Sequence, residues 1–348
     1  MKMKTKILIG LIVLIVLGVG VFVWKNISPE IEKGVVPAPS FEVEIYKGIW
    51  TPALLIEDPN KIDSNMQKLK DIGANTVFLP TFAAQIEPCL ERVPSELREK
   101  VEKLIPIEKE LLIAYIQAAH RNGLKVAIAP EKCVIVRKLG GKIDLEAVNA
   151  NIIEHAKLAE EYEVELFAPM NEPEALFGPS ASATWGQEIL PRIREVYHGK
   201  VIWKGASIGD FMQPDPSQPQ PNFTGYDYLG FTIGLGPGMT LEEFSQRVDH
   251  DLDRAFEFAE RSNVKKVMIS EFYGRLPEEW EKEGWSEEKE ARAHEIVFER
   301  GKDKVVGFFA LDFLGLSFLG GELPGMPDPK KSLKTEEVIR KWFKEILQ

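Results

Sequence analysis

The chain has 348 residues, 44% of them hydrophobic and 28% charged, which suffices for one large core or two modest domains. Its net charge of -11 argues against a phosphate backbone or an anionic lipid surface as the main partner, so no nucleic acid is expected. Glu and Lys dominate the charge in mixed-sign runs, such as 94–109 and 277–292, that read as solvated helix faces; the same bias is common in proteins of thermophiles.

Lys2, Lys4 and Lys6 precede an uncharged apolar run, 7–24, that Lys25 closes. A helix of that length nearly spans a hydrocarbon core of about 30 Å, and Trp24 sits where an interfacial aromatic belongs. The positive flank keeps the N-terminus inside, so residues 1–26 are expected to be a single-pass membrane anchor with the remainder extracytoplasmic. A cleaved signal peptide and a secreted product form the alternative, although neither a small-x-small site nor a lipobox cysteine follows the run. Residues 27–41, with three prolines, read as a stalk, and 42–348 as one domain.

Beyond the stalk, short apolar strands alternate with amphipathic helical patterns. Strand 45–55 precedes helix 61–72, which Gly73 ends. Strand 76–81 leads to a short extra helix, 95–104, and then to helix 107–122, closed by Gly123. Next come strand 124–129 with helix 144–162, strand 165–170 with helix 184–197, and strand 201–206. A stretch carrying Pro214, Pro216, Pro219 and Pro221 follows, so a regular fifth helix is not expected there. As a lid, this stretch would bring Phe211 and Phe223 to the cleft edge. Strand 228–233 with helix 241–261, strand 264–270 with helix 286–300, and strand 305–311 with helix 335–346 complete the chain. Eight strand–helix units predict a closed parallel (β/α)8 TIM barrel; the open doubly wound alternative should carry a glycine-rich phosphate turn, and the early turns have none.

Such barrels place reacting groups at the C-terminal ends of their strands. Four carboxylates fall there: Glu131 after strand three, Glu172 after strand four, Glu271 after strand seven and Asp312 after strand eight. A carboxylate directly following a buried strand is poorly explained by solvation; capping of the next helix or pairing with a basic neighbour is the alternative, most of all for Glu131 and Asp312. The five histidines (His120, His155, His198, His250 and His294) read as helical, which disfavours a zinc hydrolase. Neither a metal nor another cofactor is expected, and the rival is an all-oxygen divalent-metal enzyme. Cys89 and Cys133 fall in the loops after strands two and three, which adjoin in a barrel; an exported chain can oxidise them to a disulfide, and two separate thiols are the alternative.

Phe167-Ala168-Pro169-Met170-Asn171-Glu172-Pro173 resembles the fourth-strand signature of clan A glycoside hydrolases, and Ile269-Ser270-Glu271-Phe272 their seventh-strand signature. Tyr226-Asp227-Tyr228-Leu229-Gly230-Phe231 is similar to their sixth strand. The resemblance spans the barrel and implies a retaining glycosidase acting on an oligo- or polysaccharide. Glu172 would be the acid/base, Glu271 the nucleophile, and Asn171 the partner of the sugar 2-hydroxyl. The pattern departs from the clan at the eighth strand end, which lacks the usual aromatic, and after strand six, where Thr232-Ile233-Gly234 replaces His or Tyr. It departs again at strands two and three, where Pro80-Thr81 and Glu131-Lys132 stand in place of Arg or His. Trp50 and Tyr273 could supply replacement stacking, with core packing as the alternative for each. A non-catalytic carbohydrate-binding barrel is a further rival, favoured by the missing aromatics and opposed by the retained glutamate pair.

Overall fold

The computed structural model describes residues 45–51, 61–81, 105–130, 144–208, 220–236, 238–274, 286–311 and 333–347. Eight strands form a closed parallel barrel in chain order: β1 (Tyr46–Trp50), β2 (Thr76–Thr81), β3 (Lys125–Pro130), β4 (Leu166–Phe167), β5 (Lys200–Ser207), β6 (Tyr228–Gly234), β7 (Val267–Tyr273) and β8 (Gly307–Leu311). Pairing of β1 with β8, from Tyr46 opposite Gly307 to Trp50 opposite Leu311, closes it. The described helices are α1 (Ile62–Asp71), α2 (Ile105–Arg121), α3 (Leu145–Glu161), a short α4 (Glu174–Phe177), α5 (Pro179–Arg194), α6 (Leu241–Arg261), α7 (Glu287–Gly301) and α8 (Leu333–Lys341), which runs on as a wider turn, Trp342–Ile346.

Local chemistry explains the helix ends. Asp144 caps α3 by accepting from the Ala147 N–H at 3.1 Å, and Thr240 and Glu243 cap α6 reciprocally. Gly73 and Gly123 take positive φ (94° and 68°) just past α1 and α2, the left-handed turn that glycine enters without strain.

Strand alternation sorts side chains into two apolar layers. One cluster contains no helix residue and is drawn from the strands and Ala168 just past β4, among them Trp50, Phe78, Ala127, Leu166, Ile202, Met268 and Phe309, and therefore fills the barrel. The other joins the opposite strand faces (Ile49, Val77, Phe167, Trp203, Phe231) to the helices. Gly48 admits the Phe309 ring; a Cβ there would lie 2.2 Å from it.

The barrel is as expected, with three local differences. β7 runs on to Tyr273, so Glu271 lies within the strand and not after it. His198 lies in the loop before β5, at the end of the barrel away from the mouth, and donates from Nδ1 to Glu160 Oε1 at 2.9 Å. Phe223 is 1% exposed and packs on Trp203 (5.1 Å) and Phe258 (6.3 Å), with its N–H on Ser262 Oγ. It is therefore core and not cleft edge: a large aromatic close to β6 gains more from burial than a lid would give it.

Among the described residues no helix is long and apolar enough to cross a membrane. The expected anchor at 1–26, the stalk, the extra helix at 95–104 and most of the Pro-rich stretch with Phe211 lie outside those residues.

Candidate active site

Two strand irregularities and one unusual backbone angle shape the C-terminal mouth. Register between β6 and β7 runs Gly230–Met268 and Phe231–Ile269, then jumps to Thr232–Glu271, so β7 carries one extra residue at Ser270. The same shift recurs against β8, between Ile269–Phe308 and Phe272–Ala310. Because side chains alternate with period two, one extra residue reverses the faces beyond it. Met268 points into the barrel, and past the bulge Glu271 and Tyr273 do so while Phe272 faces the helices. The bulge is thus what aims Glu271 inward. A matching shift in β5, between Lys204 and Ser207, keeps β5 and β6 in step.

Four residues past β4, Asn171 forms an isolated bridge to Lys204, and its N–H donates to the Pro130 carbonyl at 2.7 Å. Glu172 follows with φ 47°, an angle a non-glycine residue rarely takes, and its N–H donates to the Lys204 carbonyl at 2.9 Å. Pro173 then starts α4. This turn projects Asn171 and Glu172 from a strand whose ladder is only Leu166–Phe167.

The side chains form one cluster. Thr232 Oγ lies 3.0 Å from Glu172 Oε1 and 3.2 Å from the Gly205 carbonyl, and Thr232 is the ladder partner of Glu271. Lys204, wholly buried, donates to Asn171 Oδ1 at 2.6 Å and to Glu271 Oε2 at 2.7 Å. The Trp50 ring faces the same ammonium at 4.3 Å and meets Phe78 edge-on at 4.8 Å. Trp50 is 2% exposed and belongs to the interior cluster; Tyr273 is half-buried, against Gly234.

Behind the turn, Glu174 is fully buried. It accepts from Trp203 Nε1 at 2.8 Å and from the Ala206 N–H at 3.0 Å, which ties the base of α4 to β5. Burial outweighs these two hydrogen bonds and one from its own backbone N–H and pushes its carboxyl up to about 7, and the nearby Glu172 adds to the rise.

Asn171, Glu172 and Glu271 therefore come together at one mouth, with Trp50 beneath them. Glu131, Asp312, Cys89 and Cys133 lie outside the described residues. Among the described residues no group of three or more His, Cys, Asp and Glu is placed to hold a metal. Lys204 and Thr232 complete the cluster: Thr232 stands after strand six where the resemblance puts His or Tyr, whereas Lys204 is not evident as a site residue from the sequence. The available signal for Lys204 was a lone lysine on the inward parity of an apolar strand, Val201-Ile202-Trp203-Lys204.

No family model matches the sequence, and no curated protein sequence matches it. Solved structures do match the fold. The chain is similar to the GH113 β-mannanase AaManA of Alicyclobacillus acidocaldarius, with a TM-score of 0.55 and 16% identity over 87% of this chain and 98% of that one. An endo-β-1,4-mannanase from Thermotoga petrophila matches with a TM-score of 0.60 and 13% identity over 87% and 77%. A glycoside hydrolase family 5 mannosidase from Rhizomucor miehei matches at 0.59 and 13% over 86% and 92%. At these identities the likeness is one of fold: the chain shares the (β/α)8 barrel of these glycoside hydrolases.

Proposed function

We propose that the protein is a retaining glycoside hydrolase that cleaves β-linked O-glycosidic bonds by double displacement, with Glu172 as acid/base and Glu271 as nucleophile. The observation that carries this reading is the meeting of Asn171, Glu172 and Glu271 on one residue at the C-terminal mouth of the barrel: the Lys204 ammonium holds Asn171 and Glu271, and the Lys204 carbonyl holds the Glu172 N–H. The barrel shared with mannanases and a mannosidase supports it and makes β-mannosides the first substrates to test.

Glycosidic cleavage needs one carboxyl to protonate the leaving oxygen and one carboxylate to attack the opposite ring face. Glu172 Oε1 accepts from the neutral hydroxyl of Thr232, a contact that suits a group that must hold and release a proton. Glu271 contacts an ammonium, which favours its ionised form and suits the nucleophile. Lys204 can only donate, so it fixes Oδ1 of Asn171 as the acceptor, and the other fork of that amide is the Nδ2 donor. A donor suits the 2-hydroxyl oxygen of a sugar held between the two carboxyls.

A panel of aryl β-glycosides and β-linked polysaccharides tests the proposal, with aryl β-mannosides and β-mannan included. Hydrolysis should be abolished in Glu271→Gln. In Glu172→Gln it should fall by about 10²–10⁴-fold on poor leaving groups and far less on activated phenolates. Glycan binding without turnover would instead favour the carbohydrate-binding reading, and loss of turnover on chelation the metal-dependent one.

A further inference from the structure

Lys204 is the one fully buried lysine among the described residues whose ammonium lies within the candidate site, and three strands meet at it. It rises from β5 on the inward face, one step beyond Ile202. Its side chain reaches Asn171 at the end of β4 and Glu271 on β7, while its own carbonyl holds the Glu172 N–H. The Trp50 face covers the ammonium at 4.3 Å, and the Phe78 ring centre is 5.8 Å away. Neither charge of this pair is tolerable alone: the Lys204 side chain is 0% exposed and that of Glu271 11%.

We propose that Lys204 is a positioning residue that holds Glu271 as a carboxylate and orients Asn171, so that one buried ammonium sets the charge and direction of two groups at the mouth. This rests on the glycosidase reading for its chemical use but not for its test. Held at Oε2, Glu271 would attack through Oε1, the oxygen Lys204 does not hold. When the sugar later leaves, the carboxylate charge that returns is matched by the same ammonium.

Among the described residues, the other groups around Glu271 do not duplicate this effect. Glu172, reached from β4 through Thr232, would oppose ionisation of Glu271 by like-charge repulsion, and Glu174 lies behind it. Thr232 on β6 and Trp50 on β1 have no ionisable side chain, and Tyr273 on β7 brings a phenol and not a cation. On the outer side, α7 places Glu290 against Gly274 and His294 against Phe272, on the face away from the mouth. Phe309 and Leu311 of β8 are apolar.

The test reads Glu271 itself in the full-length chain. With 13C-labelled glutamate carboxyls, the Glu271 resonance is assigned by its absence in Glu271→Gln and followed through a pH titration. In the wild type its midpoint should lie below the ordinary glutamate value of about 4.3. In Lys204→Met it should rise by at least one unit, about a tenfold gain in proton affinity, and in Lys204→Arg it should stay near the wild type. Lys204→Gln serves the same purpose if the methionine variant does not fold. A wild-type midpoint at or above about 4.3 overturns the proposal without any variant. So does a neutral variant that leaves the midpoint unmoved. Absence of glycosidase activity in the wild type would count against the functional reading alone, because the titration does not depend on turnover.

Discussion

Glu172 and Glu174 stand two residues apart on one turn and meet opposite surroundings. Glu172 is half-exposed at the mouth on a neutral hydroxyl, whereas Glu174 is sealed between β5 and α4 on two N–H donors. Burial raises Glu174 from 4.5 to about 7, so its contribution to stability is complete below pH about 4.5 and is lost as the pH rises through 7. His294 has the opposite sign. Burial lowers it from 6.5 to about 4, so its contribution is complete above pH about 6.5 and is lost as the pH falls towards 4. Glu174→Gln should lower stability at pH 5, because an amide cannot accept from both Trp203 and Ala206. It should also remove about 2 kcal/mol of the stability that the wild type loses between pH 5 and pH 8. Urea unfolding of both proteins at the two pH values checks this, and His294, common to both, cancels. Parallel pH dependence in the two proteins would show that Glu174 is not raised.

At the scale of elements, β7 carries the main departure from a regular barrel. Without the extra residue at Ser270, the inward parity of Met268 would pass to Ser270 and Phe272, and Glu271 would face the helices. Gly230 makes room for the bulge: a Cβ there would lie 2.7 Å from Ser270 Cβ and 2.8 Å from its Oγ. Gly230→Ala should therefore cost about 1–3 kcal/mol by overpacking. If the proposed reaction holds, it should also reduce turnover well beyond any change in substrate affinity, because the push falls on the residue before Glu271. Thermal unfolding together with kcat and KM on an aryl glycoside reads both effects. A Gly230→Ala protein as stable and as active as the wild type would mean that the bulge has slack. The Glu172 turn is held differently, by the Lys204 carbonyl and by Glu174.

Over the whole molecule, the barrel was legible because its eight apolar runs are separated by strongly amphipathic helices, and α6 is found at 241–261 as expected. Glu172 was legible as a carboxylate directly after an apolar strand, and Asn171 through the resemblance of 167–173 to the fourth-strand signature. The inward aim of Glu271 was not, since a bulge leaves no mark on a two-residue alternation read from sequence. Lys204 is not legible because a single charge in a strand reads as its solvent edge, and its burial is made tolerable by Glu271, the Asn171 oxygen and the Trp50 face, which come from other strands. Phe223 was misread because the prolines before it suggest a loop, while the ring itself returns to the core. What joins these parts is the claim that the barrel holds two carboxylates for double displacement, and the configuration of the first product tests it most directly. Proton NMR during hydrolysis of a β-glycoside should show the β-anomer forming first, as expected for carboxyl groups about 5–5.5 Å apart. Immediate formation of the α-anomer would contradict the assignment, because inversion requires a water between carboxyls about 6.5–9.5 Å apart and leaves Glu271 no nucleophilic role.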